Sequence, residues 1–230
     1  MSTAADSEST HPLLRHFSAI ELLLALAALL VSYPFVEKLA RGPLIESILV
    51  SIVLVSAVLA ISEQSRIVII AAILALPPLA GRWIHHYRPD LMPPELFLIG
   101  GIIFIVFVIA NLLHFVLTAR SVDIEVLCAA ISAYLLLGLL WTFCYWLVAE
   151  LTPDAFSFNA VVATDKSMSD SNALYFSFVT LSTLGYGDIT PVSSTARMLA
   201  AAESNVGLLY VAVLIARLVA VYSTPVKNAH

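Results

Sequence analysis

Six stretches of this chain are apolar for about twenty residues each, roughly 17–36, 44–62, 67–84, 95–118, 124–149 and 195–222. A helix of about that length matches the hydrocarbon thickness of a bilayer, and in lipid only helices or closed barrels satisfy every backbone group. The expected fold is therefore an all-α membrane protein with six transmembrane helices. Composition points the same way: 12% of residues are charged, against about a quarter in a soluble domain. A net charge of −5 with no basic run gives no sign of a nucleic-acid partner. Cys128 and Cys144 lie within one apolar run and read as small buried hydrophobes rather than a disulfide.

The ends of the spans carry further signals. Arg15 before an apolar run from Phe17 has the outline of a signal peptide, but Glu21 and the continuation to Val36 suit a retained first span better. Trp83 with Tyr87, and Trp141 with Tyr145 and Trp146, stand near helix ends as interfacial anchors. Pro77-Pro78 is expected to kink or end the third span. With a cytoplasmic N-terminus, Arg15, Arg66, Arg120, Arg217 and Lys227 fall inside, and Lys38, Arg41, Arg82, Arg88, Lys166 and Arg197 outside. Charge alone therefore does not orient the chain.

Between the last two spans runs a polar connection, 150–194, holding the short apolar piece ALYFSFVTLS at 173–182. It is too short to cross, and reads as a half-membrane helix with Asp170 and Ser171 as capping candidates. TLGYGD follows at 183–188. Non-helical backbone at membrane depth survives only when buried in protein or lining a water-filled cavity. Glycine adopts left-handed conformations without steric penalty, so Gly185 and Gly187, two apart, allow the backbone to alternate in handedness. Alternation turns successive carbonyls toward one axis, where they can replace the water around a potassium ion. The carbonyls of Thr183, Leu184, Gly185 and Tyr186 with the Thr183 hydroxyl are the candidate ligands, and Gly187 closes the segment. One chain supplies one copy, so four chains must meet on the axis.

TLSTLGYGD resembles the selectivity-filter signature of the potassium channel family, T-x-x-T-V-G-Y-G-D, at Thr180, Thr183, Gly185, Tyr186, Gly187 and Asp188. The resemblance covers about 100 residues (124–222). It implies an N-terminal cytoplasmic tail (1–16), a four-helix peripheral domain like a voltage sensor (17–120), and a pore domain (121–225). In the latter it implies a pore helix at 171–182, a filter at 183–187 and an inner helix at 195–222. It further implies an outward-facing filter, both termini cytoplasmic, a homotetramer in the cell membrane among lipids, and K+ as the transported ion with no cofactor. Leu184 replaces the usual valine, Ser182 a common threonine, and Val179 a glutamate that in some relatives holds the aspartate after the filter. Tyr175 is the expected substitute partner for Asp188, and Tyr175, Phe176 and Phe178 are candidates for a cuff behind the filter.

Gating is less legible. Gly207 resembles the hinge of potassium-channel inner helices, with close packing against the pore helix as the alternative. Leu208, Val211, Ile215 and Val219 recur at helical spacing as candidate cavity and gate residues. Glu203 belongs to the same gating and cavity group; a hydrogen bond behind the filter is favoured for it over ion contact. Arg217 is expected to snorkel to lipid headgroups. Glu150, Asp154, Asp165 and Asp170 can concentrate cations at the outer mouth or simply be solvated. Glu21, Glu46 and His114 read as interhelical or interfacial groups; His114, Glu203 and the His85-His86 pair are candidate pH sensors. The fourth span has no Arg or Lys before Arg120, so little voltage dependence is expected. No nucleophile, base and orienting group cluster as in an enzyme. The rival readings are a non-selective cation channel, a potassium transporter and a regulatory channel subunit.

Overall fold

A computed structural model describes residues 18–36, 39, 42–60, 65–87, 93–159 and 167–222. The N-terminal tail, Asp165, Lys166 and the His85 and His86 side chains lie outside the described residues. The chain is mostly helical: α1 (Ser18–Val36), α2 (Gly42–Ala60), α3 (Ser65–Tyr87), α4 (Pro94–Thr118), α5 (Ile124–Leu151), α6 (Asp170–Leu181) and α7 (Ser194–Tyr222). Four of these, α3, α4, α5 and α7, are long and apolar enough to cross a membrane. In α1 and α2 the apolar stretches, Ala19–Tyr33 and Leu44–Ala60, are shorter.

Helices α1 to α4 bury one face each against their neighbours and against α5. Leu22, Leu26, Ala57, Ala71, Phe104, Val108 and Leu136 form one continuous core there. Pro77 and Pro78 do not end the third helix, which runs on to Tyr87. Asp123 starts α5 by accepting a hydrogen bond from the Val126 amide at 2.9 Å, satisfying one of the orphan donors of the first turn.

The described parts of the long connection hold two short strands that its polarity does not suggest. Phe156–Phe158 (β1) and Ile189–Pro191 (β2) pair antiparallel, with Ser157 opposite Thr190. Asp154, with φ +58°, makes the left-handed turn into β1, a conformation that Asp tolerates better than most residues. A second core then forms: Tyr145 of α5, Phe156 of β1, Phe176 of α6, Ile189 of β2 and Ala196 of α7 are all buried together. Tyr145 is therefore no interfacial anchor. It is fully buried, and its ring meets Phe176 edge-on at 4.8 Å. This core fixes both ends of the segment 182–188 to the rest of the chain.

Candidate functional site

Residues 182–188 leave α6 in a conformation that only part of the sequence makes easy. Thr183, Gly185 and Gly187 have φ of +60°, +55° and +77°, while Leu184 and Tyr186 between them are not left-handed. Handedness thus alternates residue by residue, and two of the three left-handed positions are glycine. Thr183 bears the left-handed cost as a β-branched residue, about 1–2 kcal/mol. Its amide is held by the Thr180 carbonyl at 2.9 Å.

The end of α6 supplies the anchor. The Leu184 and Gly185 amides both donate to the Val179 carbonyl, at 2.9 and 3.3 Å. The Ser182 amide and hydroxyl both donate to the Phe178 carbonyl. Carbonyls left unsatisfied at a helix C-terminus thus take up the amides of the following segment, turning those N–H groups back toward the helix. Val179 contributes through its backbone. A Cβ at Gly185 or Gly187 would meet nothing within 4 Å, and the Leu184 and Tyr186 side chains are exposed in the single chain.

Beyond the glycines, Asp188 is held on two sides. Tyr175 donates its phenol proton to Asp188 Oδ2 at 2.7 Å, and the Tyr175 ring stacks on Tyr186 with parallel planes. The Asn159 amide donates to the Asp188 carbonyl at 2.8 Å, which ties the segment to β1. Phe176 faces the second core, and Phe178 lies against α5, where a side chain at Gly138 would overlap its ring.

Glu203, grouped with the cavity residues, makes the buried hydrogen bonds favoured for it over ion contact. It is fully buried, and the Tyr145 hydroxyl donates to its Oε2 at 2.5 Å. Its Oε1 lies 2.6 Å from the Ser177 hydroxyl, which is also 2.7 Å from the Gly138 carbonyl and shares its one proton between them. The carboxyl therefore bridges α5, α6 and α7 behind the segment 183–187. A buried polar group of this kind is stable only because each oxygen has a partner. Gly207 packs against the end of α6, and a methyl group there would overlap the Leu181 carbonyl oxygen. Close packing accounts for this glycine without a hinge. Leu208, Val211, Ile215 and Val219 all lie on bare faces of α7.

Two further corrections concern charge. The first turn of α6 begins at Asp170 with Ser169 at the cap position, and Ser169 makes no side-chain capping bond. Asp170 neither caps the helix nor stands free at the mouth; it pairs with Arg82 of α3 at 2.8 Å. Arg82 also pairs with Glu46 at 2.6 Å, and Tyr33 donates to the same Glu46 oxygen. Arg217 does not reach outward but donates to the Ala119 carbonyl at 2.7 Å, joining α7 to the link between α4 and α5. Glu150 accepts from Trp146, and Glu21 and His114 are exposed. No sequence pattern pointed to the Arg82 or Arg217 contacts, because each joins residues far apart in the chain.

Residues 129–224, covering most of α5 and all of α6, the glycine segment and α7, match the family model described as ion channel. Two-pore potassium channel 1 of Arabidopsis thaliana is 34% identical over 87 residues. That alignment covers 38% of this chain, which spans about a fifth (20%) of the relative's length. No solved structure matches. The part of the chain similar to ion channels is thus the part that holds the alternating segment and its supports.

Proposed function

We propose that this chain is the subunit of a homotetrameric potassium-selective channel, with Thr183, Leu184, Gly185 and Tyr186 as K+ ligands. The observation that carries the reading is the alternating handedness of Thr183–Gly187, with amides drawn back to Val179. With the amides so engaged, the carbonyls are free to face a shared axis, and four copies give rings of oxygens able to replace a hydration shell. The similarity of residues 129–224 to ion channels supports the same reading.

The bare surface of α7 supports tetramerisation. Only 6% of its most apolar stretch is buried within the chain, so three further copies can cover its remaining faces and leave Leu208, Val211 and Ile215 on the conduction path. Six spans, with α1 and α2 crossing beside the four longer helices, put both termini on the cytoplasmic side and the filter outside.

Purified protein in liposomes, assayed for potassium and sodium flux, tests the proposal. Potassium flux well above sodium flux, with unitary currents in a planar bilayer, is the expected result. Equal sodium flux would mean a non-selective channel, slow turnover without unitary currents a transporter, and no flux from the chain alone a regulatory subunit. Because α4 carries no arginine or lysine from Pro94 to Thr118, conductance in symmetric potassium should change little with voltage. A steep curve carrying several gating charges would contradict that part.

A further inference from the structure

Besides their apolar packing on α5, the peripheral helices contact the pore unit at a charged corner. Among the described residues of α1–α4, the arginines and lysines are Arg66 and Arg82, both on α3. Arg82 engages all three of its nitrogens: Nη1 with Asp170 at 2.8 Å, Nη2 with Glu46 at 2.6 Å and Nε with Ser47 Oγ at 3.4 Å. Tyr33 of α1 donates to Glu46 at 3.0 Å. Side-chain exposure is 16% for Arg82, 18% for Glu46 and 28% for Asp170, so water screens these pairs only in part. A cavity lined by Ser32, Tyr33, Glu46, Ser169 and Asp170 flanks the group.

Asp170 is the first residue of α6, where four amides have no intrahelical partner and the helix dipole favours a carboxylate. Ser169 makes no side-chain capping bond, so Asp170 is the charged group at this terminus, and Arg82 fixes where it sits. At its other end the same short helix holds the glycine segment through Val179. A helix from Asp170 to Leu181 is about 18 Å long at 1.5 Å per residue. A shift of its first turn is therefore carried to its last with little loss.

We infer that Arg82 is a positioning residue for the pore helix: through Asp170 it makes the α1–α3 bundle a control element for the filter of its own chain. The role of the filter rests on the channel reading above; the hold on the helix does not. Movement of α1–α3 reaches the filter through an ion pair on α3, although α4 has no arginine or lysine with which to sense voltage. The planar guanidinium serves Asp170 and Glu46 together, which an ammonium group does less well.

Two measurements on the intact protein in lipid test the inference. In the first, hydrogen exchange is followed at the α6 amides from Ala173 onward. Arg82→Gln is expected to raise exchange there about tenfold or more, and Arg82→Lys by clearly less. In the second, single channels of Arg82→Gln are expected to show a mean open time shortened by about tenfold, the scale of a typical coupling between sites. Unitary conductance and the potassium-to-sodium ratio should stay as in the unmodified channel. Asp170→Asn should match Arg82→Gln, and the double variant should be no worse than either single one. If Arg82→Gln fails to assemble, Asp170→Asn, which leaves the Arg82–Glu46 pair intact, carries both measurements. Unchanged exchange and unchanged gating in the assembled variants would overturn the inference. Absence of potassium flux from the unmodified protein would instead strike the channel reading, and the exchange result would still decide whether Arg82 holds the helix.

Discussion

Helices α5 and α7 are near equals in length, 28 and 29 residues, and both are apolar enough to span a membrane. In the most apolar stretch of α5, 56% is buried within the chain; in α7 the share is 6%. Lipid alone could cover a bare apolar helix, but α7 is not uniformly apolar. Asn205 is exposed in the middle of it, its amide nitrogen bound only to the Ala201 carbonyl, and such a group faces lipid at a cost. The side that does pack is specific: Tyr210 donates to the Ala130 carbonyl of α5, and Gly207 lies against Leu181. Helix α5 is largely covered by its own chain, whereas α7 leaves most of its surface bare, to be covered in the proposed channel by other copies and by the conduction path.

The largest effects should separate positions that matter within one chain from those that matter only in the assembly. Gly185 has a left-handed φ and open space around it, so Gly185→Ala strains the backbone by about 1–2 kcal/mol without a clash inside the chain. Potassium flux should be abolished while the assembled protein keeps most of its thermal stability. Gly207→Val should do the reverse in order: overlap with the Leu181 carbonyl should cost about 1–3 kcal/mol in each chain, lowering Tm before conduction is considered. Flux and thermal unfolding on both variants check the contrast. A Gly185→Ala variant that conducts selectively, or a Gly207→Val variant as stable as the unmodified protein, would break it.

Glu203 is a smaller test of the same division, because it is the point where α7 does belong to its own chain. Glu203→Leu leaves the Tyr145 and Ser177 hydroxyls facing an apolar side chain, at about 1–3 kcal/mol for a buried polar group deprived of its partner. Glu203→Gln keeps one acceptor oxygen and should lose less. Thermal unfolding in detergent should rank the unmodified protein above Gln and Gln above Leu. Equal loss for both would mean that the carboxylate charge, rather than its hydrogen bonds, holds the helices together.

What the sequence made legible followed local rules. Twenty-residue apolar runs, and glycines spaced by two beside a short apolar helix, each have a meaning that needs no distant partner. The bare residues Leu208, Val211, Ile215 and Val219 could be found the same way, by helical spacing. Tyr145 and Glu203 are 58 residues apart, and Arg82 and Asp170 are 88 apart. Neither pair has a pattern of its own, so Tyr145 looked like an interfacial anchor and Asp170 like a cap. The pairing of β1 with β2 was hidden because strands of three residues are too short to display a period of two. In a membrane chain the apolar periodicity reports helices well, while the few polar groups that lock them together are visible only after folding.

The smallest effect concerns the Asp188 end of the proposed filter, where one exposed hydrogen bond adds to the tie from the Asn159 amide. Tyr175 is 39% exposed in the single chain, and its bond to Asp188 is 2.7 Å long. A phenol stays protonated at neutral pH and donates, so Tyr175→Phe removes that bond and leaves the ring stacked on Tyr186. A bond of this kind contributes about 0.5–1.5 kcal/mol, or roughly a two- to twelvefold change in an equilibrium. Current should therefore decline several-fold faster during sustained opening, with unitary conductance and ion selectivity unaltered. Asp188→Asn still accepts from the phenol but removes the charge, so its effect should be milder if the hydrogen bond is what matters. The double variant should then resemble Tyr175→Phe alone. A Tyr175→Phe channel with unmodified decay kinetics would assign the hold on Asp188 to the Asn159 amide and the β1–β2 pair, and would make the Asp188 end of the proposed filter, like Glu203 behind it, a matter of the chain's own core.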